Sequence, residues 1–265
     1  MAKRDLRISL VQGDTRWHDP AGNREYYAGL MAPMHGNTDL VVLPETFTSG
    51  FSNDAIGNAE TMDGSTVGWM REQAAKLDAA ICGSVQLRAP NGVFNRMLFA
   101  KPDGTVEYYD KRHLFTYAGE HERYAAGHDR LIVEWRGWKI CPLVCYDLRF
   151  PVFSRNRLDV DGEPEYDLLV YVANWPSPRA YAWETLLRAR AIENVCFVAG
   201  VNRCGSDGNG LHYSGDSAVL DFLGHPLSEC ADVEVTTTTT LLAADLADWR
   251  GRFPALRDGD RFNID

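Results

Sequence analysis

The chain has 265 residues, of which 45% are hydrophobic, and a net charge of −10 from 37 acidic and 27 basic residues. This length and composition are sufficient for one substantial core, so we predict a single domain over residues 1–265. The acidic balance and the absence of a long Lys/Arg block argue against nucleic acid as a partner. No apolar run approaches the roughly 18–20 residues that span a bilayer. The N-terminus also lacks the apolar segment of a signal peptide, which predicts a soluble, cytoplasmic protein without a membrane partner.

Strand-like apolar runs alternate with helical patterns along the chain, which is typical of α/β proteins. We predict helices over residues 21–34, 65–77 and 178–194. The first of these has Asp19 as its N-cap and Pro20 at its first helical position. Strands are predicted over 6–12, 39–43, 79–87, 93–100, 140–144, 168–172, 196–201, 217–220, 226–230 and 236–240.

The turns between these segments limit the kinds of α/β fold that fit the sequence. Asn91-Gly92 and Asp103-Gly104 flank the strand over 93–100 and predict consecutive hairpin strands. Pro142 lies inside an apolar strand, where a missing N–H indicates an edge or a bulge. The mixture of hairpins and βα segments favours a layered α/β sandwich over a simple doubly wound sheet.

Three strand-like segments end in residues that can carry chemistry. Cys145 ends the apolar run 139–144, and open α/β sheets keep their sites beyond strand ends. A thiolate attacks carbonyl carbon well, but a free thiol with a pKa of about 8.5 needs a base or cations. Glu45 is the candidate base, and Lys111 with the backbone N–H of Tyr146 is the candidate oxyanion stabiliser. Together they predict a cysteine hydrolase acting on a small carbon–nitrogen bond.

Each of these residues also has an ordinary structural explanation. Cys145 alone fits an inert buried thiol, and Lys111 belongs to a basic cluster of the kind that is usually solvated. Since Cys–His pairs are common, His113 and, less directly, His121 stay open as alternative bases. Arg149 fits either a bidentate contact with a substrate carboxylate or a structural salt bridge.

Six cysteines are present, and without a secretory signal we expect them to be reduced. Cys82 and Cys196 lie in apolar stretches and are predicted to belong to the core. Cys141 and Cys145 are four residues apart, but no His or Cys follows at the spacing of a zinc site. We therefore predict no metal.

The segments 43–45, 109–115 and 144–151 resemble the three signature segments of the nitrilase superfamily of carbon–nitrogen hydrolases. They occur in the same order, with 66 residues from Glu45 to Lys111 (111 − 45) and 34 from Lys111 to Cys145 (145 − 111). The resemblance implies a four-layer α–β–β–α sandwich that forms a homodimer through helices. It also implies a Glu45–Lys111–Cys145 triad, no metal or organic cofactor, and a second glutamate, which we assign to Glu120 with Glu122 as the alternative.

Tyr146 and Asp147 follow the thiol where true nitrilases have Trp and Glu, so the sequence is more similar to the amidase branches. The segments 109–115, 145–151, 171–176, 202–210 and 252–255 are most similar to bacterial ω-amidases. This resemblance implies hydrolysis of the terminal amide of 2-oxoglutaramate and of similar ω-amides of 2-oxo dicarboxylates. Our own candidates for the substrate pocket are Arg149, Trp175 and Phe47. The alternatives are a deaminated-glutathione amidase, an N-carbamoyl amide hydrolase, or an inactive scaffold or sensor that keeps the fold.

Overall fold

Two mixed β-sheets and the helices that cover them make up the computed structural model, which describes residues 3–264. Met1, Ala2 and Asp265, which the predicted domain includes, lie outside the described residues. The strands are β1 (Leu6–Gln12), β2 (Leu40–Val42), β3 (Ala80–Ala89), β4 (Gly92–Ala100), β5 (Val106–Asp110), β6 (Val133–Trp135), β7 (Trp138–Val144), β8 (Leu168–Ala173), β9 (Phe197–Asn202), β10 (Cys204–Ser206), β11 (His212–Ser214), β12 (Ala218–Leu220), β13 (Pro226–Glu229) and β14 (Val235–Leu241). The α-helices are α1 (Pro20–Met31), α2 (Ser65–Leu77), α3 (Pro151–Ser154), α4 (Ala180–Asn194) and α5 (Ala243–Arg252).

Across residues 3–264 the first sheet has the order β14-β1-β2-β3-β4-β5 and the second has the order β13-β12-β9-β8-β7-β6. In each sheet three central strands run parallel, β1-β2-β3 in the first and β7-β8-β9 in the second. β10 and β11 form a separate two-stranded ribbon. The parallel strands matter for function because their carboxyl ends lie together at one edge of each sheet.

The alternation of side chains along the strands produces two cores. Leu6, Ile8 and Leu10 of β1 point into the space between the two sheets and pack with residues of both. The opposite face of the first sheet packs against α1 and α2. α4 packs against β9 and β12 of the second sheet. The result is the α–β–β–α sandwich that the motifs implied.

The helix boundaries follow local chemistry. Asp19 caps α1, and its Oδ1 accepts a hydrogen bond from the Gly22 N–H at 2.9 Å, as predicted. The helix ends at Met31 and continues only as a 3₁₀ turn, because Pro33 has no N–H to offer an α-helix. α2 spans Ser65–Leu77, as predicted. Among the described helices, none is both long and apolar enough to cross a membrane.

Several short elements were not predicted. β6, β10 and β11 have three residues each, too few to show an alternating pattern. α5 buries only Ala243 and Leu246, so its helical period is weak in the sequence. The edge position predicted for Pro142 is confirmed, because β6 pairs with β7 only as far as Ile140 and leaves Pro142 paired with β8 alone.

Gly83 of β3 packs directly against the segment that follows β2. A Cβ at this position would lie 2.8 Å from Leu43 Cβ and 3.1 Å from Phe47 Cδ1, so the backbone on either side would have to move. We expect Gly83→Ala to lower the free energy of unfolding by about 1–3 kcal/mol, measured by urea denaturation.

Gly68 of α2 provides the matched control, since it is exposed and a Cβ there would meet nothing within 4 Å. Gly68→Ala is expected to be neutral or to stabilise by up to about 1 kcal/mol. Equal stability of the two variants would contradict the close packing at Gly83.

Candidate active site

A cavity of about 670 Å³ opens at the carboxyl ends of β2, β7 and β8. Glu45, Cys145 and Asn174, which follow these three strands, all line it, as does Lys111 after β5. Aromatic residues form much of its wall: Phe51, Phe115, Tyr117, Tyr146, Trp175 and Tyr213. The cavity therefore combines polar and charged groups with several aromatic rings.

Cys145 occupies the junction between β7 and a 3₁₀ helix over Cys145–Arg149. Its φ is +46°, in the left-handed region that costs a non-glycine residue of order 1–3 kcal/mol. The thiol is half-buried in the cavity, with its Sγ 4.0 Å from the Asn174 carbonyl oxygen. This sharp turn presents the thiol to the cavity rather than to the core.

Asp147 holds this turn in place. Its Oδ2 accepts hydrogen bonds from the Val144 N–H at 3.0 Å and the Tyr109 hydroxyl at 2.8 Å. Its Oδ1 accepts a hydrogen bond from the His113 N–H at 3.1 Å and lies 2.7 Å from His113 Nδ1. One buried carboxylate thus joins the strand that ends at Cys145 to the loop that follows Lys111.

These contacts also account for the histidines considered as bases. The His113 ring is bound to Asp147 and stacks on Phe150 with centroids 3.9 Å apart. The His121 side chain is exposed. Glu45, rather than either histidine, acts on the Cys145 thiol and helps to raise its pKa.

Lys111 lies between two buried carboxylates. Its Nζ is 3.0 Å from Glu45 Oε1 and 3.0 and 2.9 Å from the two oxygens of Glu120. All three side chains are at most 1% exposed. Burial opposes the charge on Lys111, but Glu120 and Glu45 outweigh it and raise the pKa of Lys111 well above its ordinary value.

The pKa of Glu120 is also raised. Burial is the main cause, Glu45 adds to it, and Lys111 offsets only part of the effect. Two carboxylates share one ammonium, so the cluster carries a surplus negative charge that favours keeping a proton. Glu120 is therefore placed to hold Lys111 rather than to act as a freely titrating acid.

Two asparagines complete the cluster. Asn95 donates through Nδ2 to Glu45 Oε1 at 2.8 Å and to Glu120 Oε1 at 3.3 Å. The Asn174 N–H donates to Glu45 Oε2 at 2.8 Å, and its side chain donates to the Glu45 carbonyl oxygen at 2.7 Å. Asn95 was missed by the sequence analysis, although a buried amide inside the apolar strand β4 was an available signal. Asn174 was noted only as part of a family-like segment.

The remaining candidates fall in different places. Tyr146, Arg149 and Trp175 line the cavity, as does the exposed side chain of Glu122, the alternative second glutamate. The placement of Phe47 in the substrate pocket was wrong. Its side chain is fully buried.

Phe47 is buried because the chain turns directly after Glu45. Thr46 has a φ of +43°, so the chain reverses its direction and sends the next side chain away from the cavity. The Phe47 ring packs against Tyr27 and Trp69, each with centroids 5.7 Å away. Phe51, four residues later, lines the cavity instead.

The six cysteines are free. Cys82, Cys141 and Cys196 are fully buried, and burial raises the pKa of Cys141 to about 12. Across residues 3–264, no group of three or more His, Cys, Asp or Glu side chains is arranged to hold a metal ion.

The resting state of Cys145 is testable through its rate of alkylation. Burial, followed by the charge and hydrogen bond of Glu45, raises the pKa of the thiol well above its ordinary value, and Lys111 opposes this only in part. The thiol is therefore protonated at neutral pH, and we expect alkylation by iodoacetamide to accelerate about tenfold per pH unit between pH 7 and 9. Peptide mass mapping would locate the label on Cys145.

Glu45→Gln removes one cause of the raised pKa of this thiol. We therefore expect Glu45→Gln to alkylate Cys145 about threefold faster or more at pH 7. Glu122→Gln is the matched control, because Glu122 also lines the cavity and should leave the rate unchanged. Slower labelling of Glu45→Gln than of the parent protein would contradict this electrostatic assignment.

Comparison with known proteins places the chain among hydrolases. A model of the carbon-nitrogen hydrolase family matches residues 7–251. Omega-amidase YafV of Escherichia coli is 48% identical over 260 residues, which cover 98% of each chain. The 2-oxoglutaramate amidase of Bacillus subtilis is 32% identical over 254 residues, which cover 95% of this chain and 96% of that relative.

A solved structure is similar over nearly the whole chain. It is a CN-hydrolase superfamily protein of Xanthomonas campestris with an arsenic adduct in its active site. It is 67% identical, has a TM-score of 0.97, and the match covers 98% of this chain and 99% of that one.

Proposed function

This chain belongs to the carbon–nitrogen hydrolase family, as its three motifs indicated, and we propose that it is an ω-amidase with Cys145 as its nucleophile. Its substrate would be a small 2-oxo dicarboxylate monoamide such as 2-oxoglutaramate, which it would convert to the acid and ammonia. The observation that carries this proposal is the strained, cavity-facing thiol beside the buried Glu45–Lys111–Glu120 cluster. The names of the two relatives, omega-amidase and 2-oxoglutaramate amidase, support the choice of substrate.

The first half of the reaction forms a thioester. Glu45, which lines the cavity together with Cys145, takes the Cys145 proton while sulfur attacks the amide carbon. The carbonyl oxygen becomes an oxyanion between Lys111 and the N–H of Tyr146, which lies in the first turn of a helix where N–H groups lack intrahelical acceptors. The C–N bond then breaks, and the nitrogen takes the proton from Glu45 and departs as ammonia.

Lys111 can act on the oxyanion because its ammonium has three N–H donors. Glu45 and Glu120 engage the ammonium from the protein side, while Lys111 also lines the cavity. Glu120 in turn accepts a hydrogen bond from the Phe115 N–H at 2.6 Å, which fixes its position. Glu120 therefore positions Lys111 without touching the reacting atoms.

The second half of the reaction hydrolyses the thioester. Glu45, again ionised, takes a proton from a water molecule that attacks the acyl carbon, and Lys111 and Tyr146 again hold the oxyanion. The C–S bond breaks, the acid leaves, and sulfur recovers its proton from Glu45. Two moderate barriers thus replace one high barrier.

Ammonia release from 2-oxoglutaramate tests this mechanism directly. We expect the parent protein to release ammonia, Cys145→Ala to release none, and Lys111→Ala to be slower by about 10²–10³-fold through loss of an oxyanion donor. Cys141→Ala is the matched control, because Cys141 lies four residues away on β7 and is fully buried outside the cavity. It should keep most of the activity.

Near-parental activity of Cys145→Ala would contradict the assignment of Cys145 as the nucleophile. If the parent protein releases ammonia only from a tripeptide-like amide, the substrate belongs to the deaminated-glutathione branch instead. If it releases none from any amide in a panel while its fold is intact, the inactive-scaffold alternative stands.

We also propose that the chain folds as a single carbon–nitrogen hydrolase domain and that two copies form a homodimer in the cytoplasm. Exposed apolar side chains on the outer face of α4 support the dimer. Tyr181 is 82% exposed and Ile192 is 55% exposed, and Leu223 lies in the hairpin turn beyond β12. The free cysteines support a reducing compartment. Light scattering should give twice the chain mass of 29.7 kDa, and a value of one chain mass would contradict the dimer.

A further inference from the structure

Six asparagines are buried in the part of the chain that the structure describes, and two of them differ from the rest. Four bind the polypeptide backbone with both ends of their amide groups: Asn23, Asn156, Asn194 and Asn202. Asn95 and Asn174 instead leave the amide oxygen Oδ1 buried and without a hydrogen-bond partner among residues 3–264. These same two asparagines donate to Glu45. An unpaired buried acceptor costs stability, so its coincidence with contact to the candidate base indicates a functional role.

The two asparagines hold different oxygens of the Glu45 carboxylate. Asn95 Nδ2 donates to Oε1 at 2.8 Å, and the same oxygen accepts from Lys111. Asn174 donates to Oε2 through its backbone N–H at 2.8 Å and through Nδ2 at 3.4 Å. Asn95 belongs to β4 of the first sheet, and Asn174 follows β8 of the second sheet. Both oxygens of Glu45 are therefore restrained, one from each sheet.

The carboxylates dictate which way the Asn95 amide points. Its Nδ2 lies 3.3 Å from Glu120 Oε1 as well as 2.8 Å from Glu45 Oε1. The reversed amide would place Oδ1 against the same two carboxylates, which have no proton to offer it when ionised. The unpaired Oδ1 is thus a consequence of directing the amide donors at the two glutamates. An amide donates without adding a positive charge, so it supports both carboxylates and leaves the Lys111 ammonium in place.

Asn95 reaches these carboxylates from inside an apolar strand. Its neighbours on the same face of β4, Val93 and Met97, are buried apolar residues. Asn95 is 1% exposed and is not among the residues that line the cavity. It is therefore placed to act on the reaction through the two glutamates rather than by touching the substrate.

From these contacts we infer that Asn95 and Asn174 are positioning residues that act through Glu45, each holding one oxygen of the base in the direction from which it takes the thiol proton. The inference rests on the proposed function and deepens it, because it explains how a buried carboxylate paired with Lys111 stays aimed at the Cys145 thiol. It also explains why two asparagines with unpaired oxygens lie beside the one carboxylate.

The first test measures ammonia release from 2-oxoglutaramate by Asn95→Leu, which nearly keeps the size of the side chain and loses its donors. We expect kcat to fall by about 10–100-fold, the usual size for a lost hydrogen bond to a charged group. KM should stay within about threefold of the parent value, because Asn95 is not part of the cavity wall.

Gln86→Leu is the matched control for this variant. Gln86 lies directly opposite Asn95 in the register of β3 and β4, is also buried, and binds Ser49 and Gly50 rather than a carboxylate. It should keep kcat within about threefold of the parent value. A loss as large as in Asn95→Leu would assign the effect to general packing and overturn the inference.

Asn95→Asp separates hydrogen bonding from packing, because the two side chains have almost the same shape. Burial beside Glu45 and Glu120 should raise the pKa of the introduced carboxyl. While protonated, this carboxyl donates to the glutamates in place of the amide, and once ionised it repels them. The ratio of its kcat to the parent value should therefore fall by about tenfold or more between pH 5 and pH 8. A constant ratio would indicate a packing role and overturn the inference.

This ratio reports the introduced carboxyl rather than its neighbours. Burial raises the pKa of three further groups that interact with the cluster above this interval: Cys145, Tyr124 and Tyr213. The charged residues of the cluster are present in parent and variant alike, so their own titration affects both values of kcat.

Alkylation of Cys145 by iodoacetamide tests the inference without a substrate. After burial, Glu45 is the next cause of the raised pKa of this thiol, so a Glu45 carboxylate that is no longer held should raise it less. We expect Asn95→Leu and Asn174→Ala each to label Cys145 about two- to threefold faster at pH 7. Neither should add to the acceleration by Glu45→Gln when combined with it, because residues that act through one group are not additive.

The labelling pattern also separates this inference from the proposed function. If the parent protein releases no ammonia but the double variants label no faster than Glu45→Gln alone, the proposed substrate fails and the inference stands. Parental labelling rates for both single variants, or additive effects in the double variants, would overturn it. Gln86→Leu should label at the parent rate.

Discussion

A lysine ammonium buried between two carboxylates is the interaction on which the rest of the site depends. Removing each charge from water costs several kcal/mol, and the mutual attraction offsets this only when hydrogen bonds satisfy the remaining groups. Glu45, Lys111 and Glu120 meet that condition through Asn95, the Asn174 N–H and the Phe115 N–H. These groups come from the ends of β2 and β8, from β4 and from the loop after β5. The cluster can exist only if the sandwich brings both sheets together at one edge.

The proposed nucleophile, Cys145, depends on a second buried carboxylate with a different task. Asp147 accepts hydrogen bonds from Val144, Tyr109 and His113, and so it holds the backbone that carries Cys145 at a positive φ. The raised pKa keeps the thiol neutral, and in the proposed mechanism it stays neutral until Glu45 accepts its proton. In that mechanism attack and proton transfer are coupled, and Lys111 meets negative charge only as it forms on the substrate. The Glu45–Lys111–Glu120 cluster supplies the charged groups, and the hydrogen bonds of Asp147 fix the backbone conformation at Cys145.

This division explains which features the sequence could predict. Long strands such as β1 and helices such as α2 repeat a period often enough to be recognised, and the triad lies in motifs of known order. The wrong placement of Phe47 arose from one dihedral angle, the positive φ of Thr46, which no pattern of hydrophobic residues encodes. Asn95 was missed because its role depends on contacts with residues 50 and 25 positions away along the chain. Local periodicity predicts elements, whereas the partners of a buried polar group depend on tertiary structure.

Because the whole molecule is negatively charged, an anionic substrate must be recognised through short-range contacts. A net charge of −10 repels an anionic amide at long range, although salt screens that repulsion beyond about 8–10 Å. Inside the cavity, the ammonium of Lys111 is already paired with two carboxylates, so it offers little net attraction to a distant carboxylate. Arg149 and Arg179 are the cations there that stand on aromatic platforms without an acidic partner in the described residues. The charge of the Lys111 ammonium is thus neutralised within the protein before any substrate binds.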